Sequence, residues 1–124
     1  MTRPNVSDQK PLFWIGSALK EVKRFPGDVQ RSIGFALSAA QYGGKHPSAN
    51  PWKGEGPGVL EIVKDYDGDT YRAIYKVRFA HAVYVLHIFQ KKSPTGIETR
   101  QSDIQLVRDR LRMAQQDYEE RYAK

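Results

Sequence analysis

The pair Asp67-Gly68 constrains this chain more than any other feature. It lies between two strand-like stretches, residues 58–64 and 70–78, both rich in β-branched and aromatic side chains. Asp-Gly suits a two-residue turn in which both central residues take positive φ, so the spacing predicts an antiparallel hairpin. A third apolar run, residues 83–90, follows a short turn at residues 79–82 and stops abruptly at Lys91-Lys92. A hairpin alone is marginal in water, whereas three strands need a cover for their apolar face. The rest of the chain must supply it.

Residues 11–16 (Pro-Leu-Phe-Trp-Ile-Gly) read as a first short strand. Ser17 is expected to cap a short helix over residues 18–24, with Leu19, Val22 and Phe25 on one face. Pro26-Gly27-Asp28 breaks it. A second helix is predicted over residues 28–41, with Val29, Ile33, Leu37 and Ala40 as its apolar stripe and Gly43-Gly44 as its stop. Residues 42–57 read as a long irregular stretch, of a length more often functional than idle. A last helix is predicted over residues 102–122. Ser102 and Gln105 have capping-box spacing, and Ile104, Val107, Leu111, Ala114 and Tyr118 form a packing stripe. Arg108, Arg110 and Arg112 share the surrounding faces, where they read as a solvated face or as a grip on an RNA backbone. The order gives an α+β fold: a small, mainly meander antiparallel sheet, an N-terminal helical hairpin and a C-terminal helix.

The 124 residues suit a single domain, 1–124, with a frayed polar start over residues 1–10. Lys and Arg number 20 against 14 Asp and Glu, a net charge of +6 that suits a polyanionic partner without requiring one. The absence of cysteine excludes disulfides and thiolate metal sites. The three histidines lack zinc-ligand spacing, so neither a metal nor another cofactor is expected. No apolar run reaches membrane-spanning length and the start lacks an apolar signal-peptide core, so a cytoplasmic protein is expected.

The chain resembles the RelE/HigB-like toxins of type II toxin–antitoxin systems, in the phage-derived branch of the RelE/ParE superfamily. The carriers are Gly58-Val59-Leu60-Glu61-Ile62, the stretch from Asp67 through Tyr71-Arg72 to Tyr75, and Tyr84-Val85-Leu86-His87-Ile88-Phe89-Gln90-Lys91-Lys92-Ser93. Gly96-Ile97 and the helix around Asp103 to Leu111 complete them. The resemblance covers about residues 12–118. It implies a ribosome-dependent endoribonuclease that cuts mRNA in the ribosomal A site, and a helix-turn-helix antitoxin that silences it. Relatives of similar fold poison DNA gyrase, so a non-enzymatic binder is the alternative that the resemblance leaves open.

Cleaving RNA through its own 2′-hydroxyl needs a base, stabilisation of a dianionic phosphorane and an acid for the leaving oxygen. Arg72 is the first candidate. Strand alternation puts it with Ile74, Lys76 and Arg78, and Tyr71, Ala73, Tyr75 and Val77 on the other face. Its fork could clamp a phosphate or pair with Glu61 on the neighbouring strand. Lys91 and Lys92 read as phosphate contacts, or as a solvated strand end that blocks edge pairing. His87 shares parity with Val83, Val85 and Phe89; it reads as an acid/base or as a hydrogen-bonded core residue. Trp52 and Lys53 could stack a base and hold a phosphate, or Trp52 could seal the core with Lys53 in solvent. Tyr75 could position RNA or serve as an ordinary sheet residue.

Overall fold

The computed structural model describes residues 9–52, 58–91 and 101–122. In chain order the elements are β1 (Leu12–Trp14), α1 (Ala18–Val22), α2 (Gly27–Gln41), β2 (Ala49–Pro51), β3 (Val59–Tyr66), β4 (Asp69–Lys76), β5 (Val83–Lys91) and α3 (Gln101–Tyr122). The strands form one sheet in the order β1-β5-β4-β3-β2.

The meander β3-β4-β5 forms as the sequence predicts. Asp67 and Gly68 both take positive φ, 50° and 84°, and Tyr66 faces Asp69 as the last pair before the turn. The sheet is nonetheless mixed. β1 pairs parallel to β5, with Leu12 opposite Val83 and Trp14 opposite Val85. The stretch expected to be irregular contains β2, which pairs antiparallel to β3 from Ala49–Ile62 to Pro51–Leu60. Three residues that include Asn and Pro carry almost no intrinsic strand signal, and an edge is where such a strand is tolerated.

Helix α2 ends as a Schellman motif. The Gly44 N–H donates to Ala39 O (2.8 Å) and the Gly43 N–H to Ala40 O (3.0 Å), with Gly43 at φ 85°. Two other capping expectations fail. Ser17 precedes α1 but makes no side-chain cap; its hydroxyl oxygen instead accepts from Arg110 Nη2 at 3.2 Å. Ser102 lies inside α3, and Gln105 donates forward to Asp109 Oδ1 at 2.9 Å rather than back to the helix start.

The sheet is covered on both faces. α1 and α2 bury Ala18, Val22, Val29, Ile33, Ala36, Leu37 and Ala40 against Tyr71, Ala73, Tyr75, Val83, Val85 and Ile88. The opposite face holds Ile74, Tyr84, Leu86 and Phe79 against Val107, Ala114 and their neighbours on α3. Thus Tyr71 and Arg72 separate to opposite faces, as alternation requires.

Alternation breaks once, on β5. Ile74 faces His87 while Tyr75 faces Val85, so Leu86 is an extra residue on β5. Val83 and Val85 face α1 and α2, but Leu86 packs toward α3. The bulge therefore carries His87 to the α3 side with Phe89, whose ring stacks on the imidazole at 4.6 Å. The parity predicted for His87 with Val83 and Val85 is corrected by this single inserted position.

Candidate nucleic-acid interface

The bulge fixes which side chains meet at the Lys91 end of the sheet. Arg72 lies opposite Phe89, and Thr70 opposite Lys91. Lys91 follows Phe89 by two, so it shares the α3-side face with Arg72, Phe89 and His87. Three of the predicted site residues therefore share one face, spread along β5 from His87 to Lys91. Lys92 and Lys53 lie outside the described residues.

The shared face is not a cluster of free cations. Arg72 Nη1 donates to Glu61 Oε2 at 2.7 Å, and the side chains keep only 12% and 13% of their exposure. Of the two readings of Arg72, pairing with Glu61 is the one formed. Its Nε has no hydrogen-bond partner among the described residues. The guanidinium is thus neutralised on one edge and unsatisfied on another.

His87 is 7% exposed. Its Nε2 lies 2.9 Å from Asp103 Oδ1 in the first turn of α3, and its Nδ1 is buried without a partner among the described residues. Burial pushes the imidazole below its ordinary pKa; the Asp103 carboxylate pulls the other way, and Arg110 adds to the lowering. The neutral ring that results donates from Nε2 to the carboxylate and leaves Nδ1 as a lone-pair acceptor.

Two aromatic candidates have no face to offer a base. Tyr75 is fully buried between the sheet and the N-terminal helices, and burial lifts its phenol to about 12. Trp52 is buried beside Val59 and Phe79, and its backbone N–H donates to Val59 O at 2.9 Å. Both seal the core, because a ring inserted between packed layers excludes water on both sides.

Residues outside the predicted set complete the region. On α3, Asp103, Val107, Arg110, Ala114, Asp117 and Arg121 follow one another at alternating spacings of four and three, which places them on one face. Val107 and Ala114 are fully buried. The polar members latch the helix to the sheet. Asp103 meets His87, Arg110 Nη1 donates to Leu86 O at 3.0 Å, and Tyr84 Oη donates to Asp117 Oδ2 at 2.5 Å. Arg121 lies over the Phe13 ring, 4.2 Å from its centroid. Arg110 is therefore not a solvated helix position. Its place in the stripe, three after Val107 and four before Ala114, was the available signal.

Beside this face, α1, the part of β5 beyond β1, and α3 border an open cleft of about 450 Å³ with mixed polar and apolar walls. Ser17, Glu21, Arg24 and Phe25 line one wall, His87 to Gln90 the second, and Leu106 and Arg110 the third. Among the described residues no group of His, Asp and Glu could hold a metal ion, and no helix is long and apolar enough to cross a membrane.

This architecture is the fold of the RelE toxins. The isolated Escherichia coli RelE toxin superposes with a TM-score of 0.52 at 21% identity, over 81% of this chain and 97% of that one. The RelBE2 toxin–antitoxin complex of Mycobacterium tuberculosis contains a chain with a TM-score of 0.47 at 16% identity, over 67% of this chain and 99% of that one. A comparison with curated protein sequences returns no match. Residues 20–112 match the family model described as "Phage derived protein Gp49-like (DUF891)", and the chain belongs to that family.

Proposed function

We propose that this chain is the toxin of a type II toxin–antitoxin pair and acts as a ribosome-dependent mRNA endoribonuclease. The observation that carries the reading is the sharing of one sheet face by Arg72, Lys91 and His87. Cations there suit a phosphorane, whose charge exceeds that of the phosphodiester it comes from. A neutral imidazole suits a base once substrate binding uncovers its buried Nδ1. Lys92 and Lys53 belong to the same proposal as further phosphate contacts, and a helix-turn-helix antitoxin as the silencing partner.

The Arg72–Glu61 pair specifically favours a second reading, a non-enzymatic binder such as a gyrase poison. An arginine already neutralised by a carboxylate stabilises a developing anion less than a free one. Primer extension on translated mRNA after induction separates the two. Codon-phased cuts that disappear in Lys91→Ala/Lys92→Ala support the nuclease. Intact mRNA with double-stranded DNA breaks supports the gyrase poison.

A further inference from the structure

The cleft between α1, β5 and α3 holds an arginine with no carboxylate in contact among the described residues. Arg110 is held by two neutral acceptors, Leu86 O at 3.0 Å and Ser17 Oγ at 3.2 Å. Burial disfavours its charge, and Glu21, on the facing wall, opposes that cost from a distance. Glu21 instead approaches Arg24, at 3.5 Å, and the Arg24 side chain keeps 63% of its exposure at the cleft mouth. With His87 neutral, two guanidiniums face one carboxylate.

We infer that this cleft is a phosphate site for single-stranded RNA, with Arg110 as its inner wall and Arg24 at its mouth. The inference rests on the RNA reading proposed above and extends the contact surface beyond the sheet face. β1 pairs with β5 only as far as Val85, so the strand beyond it borders the cleft. From Leu86, which Arg110 grips, to Lys91 is five residues of strand, about 17 Å at the usual rise. That length accommodates a run of consecutive phosphates rather than one ion. A planar fork that spends one nitrogen on Leu86 O and another on Ser17 Oγ still has N–H groups to give, and bidentate recognition of phosphate is what a guanidinium does better than an ammonium. An acidic peptide is the competing ligand. The net charge of +6 and the run from the cleft to Lys91 favour the polynucleotide.

The test uses the purified full chain and a fluorescent single-stranded RNA, fully 2′-O-methylated so that it binds but is not cut, read by anisotropy across a salt series. Arg24→Glu is expected to weaken binding about tenfold and to lower the log–log salt slope by about one. Arg110→Lys keeps the charge but loses the fork, and with it part of the hold on Leu86 O and Ser17 Oγ; measured well below its lowered thermal midpoint, where the chain is folded, it is expected to weaken binding. Lys20→Glu makes the same charge change as Arg24→Glu four residues earlier, on α1 and outside the cleft lining, and is expected to leave binding within about twofold. Wild-type affinity and slope in both arginine variants overturn the inference. So does an equal loss in Lys20→Glu, which reduces the effect to overall charge, or an acidic peptide that binds where the RNA does not. Because the probe cannot be cleaved, absence of mRNA cuts in cells with intact anisotropy results sinks the nuclease reading alone.

Discussion

His87 Nε2 and Asp103 Oδ1, 2.9 Å apart, tie the bulge of β5 to the first turn of α3. The imidazole pKa is lowered by burial, so the unfolded chain binds this proton more readily than the folded one. Stability contributed by the neutral ring is present above the ordinary histidine value of 6.5 and is lost as pH falls from there toward the lower folded value. Thermal midpoints measured from pH 7 to pH 5 are expected to fall in the wild type. In His87→Gln this component of the fall disappears. Asp103→Asn keeps an acceptor for Nε2–H but removes the charge that supports protonation, so its fall is expected to be steeper. A wild-type midpoint indifferent to this pH range contradicts the assignment.

Arg72 and Glu61 form the pair most sensitive to removal of a single partner. Glu61→Gln leaves a largely buried guanidinium uncompensated, and is expected to destabilise the fold by about 3 kcal/mol. Arg72→Met/Glu61→Met, which removes both charges, is expected to stay within about 1 kcal/mol of wild type. Urea unfolding midpoints measure both. The double variant is also the cleanest probe of function: a folded protein that no longer inhibits growth assigns Arg72 a role beyond the ion pair.

Much of this arrangement was legible in the sequence, and what was not has identifiable causes. The Asp67-Gly68 turn, the stripe of α2 and the apolar series of α3 follow local rules that read out at fixed spacing. β1 joining β5 in parallel is a contact across some seventy residues, and no local pattern encodes it. The side of the sheet taken by His87 depended on one bulge, which leaves no mark in an apolar run such as Val-Tyr-Val-Leu-His-Ile-Phe. The burial of Tyr75 and Trp52 followed from helices covering both faces, a property of the layers rather than of either residue. Arg110 departs from the sequence pattern because charge in a helix usually marks the wet face. Here it occupied a stripe position and found a strand carbonyl that β1 does not use.

Gly16 has φ 58°, and a Cβ built on it would lie 3.0 Å from the Arg110 guanidinium carbon. Gly16→Ala combines an unfavourable backbone region with a push on that guanidinium, and is expected to cost about 1–2 kcal/mol. It should also weaken binding of the uncleavable RNA, because the fork is displaced from Leu86 O. Gly43→Ala is the control. It has the same kind of φ, 85°, with open space around it, so it should destabilise without changing RNA affinity. Equal effects on affinity at both glycines would detach Arg110 from the binding argument.

Tyr84 is fully buried and its hydroxyl donates to Asp117 Oδ2, which also accepts from Arg121 Nε at 2.7 Å. The Tyr84 hydrogen bond, and then Arg121, hold the Asp117 carboxyl below its ordinary pKa of 3.8. A depressed carboxyl contributes stability above its unfolded pKa and loses it as pH falls through the folded one. Tyr84→Phe keeps the ring contacts with Phe13 and Phe79 at 5.2 Å but removes the donor, and is expected to cost about 1–2 kcal/mol at neutral pH. The loss should narrow below pH 4, where protonation of Asp117 weakens the same bond in the wild type. Parallel midpoint curves for the two proteins from pH 7 to pH 3 would show that the hydroxyl does not act through Asp117. The latch at this end of α3 would then be the apolar packing of Ala114 and Tyr118, with Arg121 over the Phe13 ring.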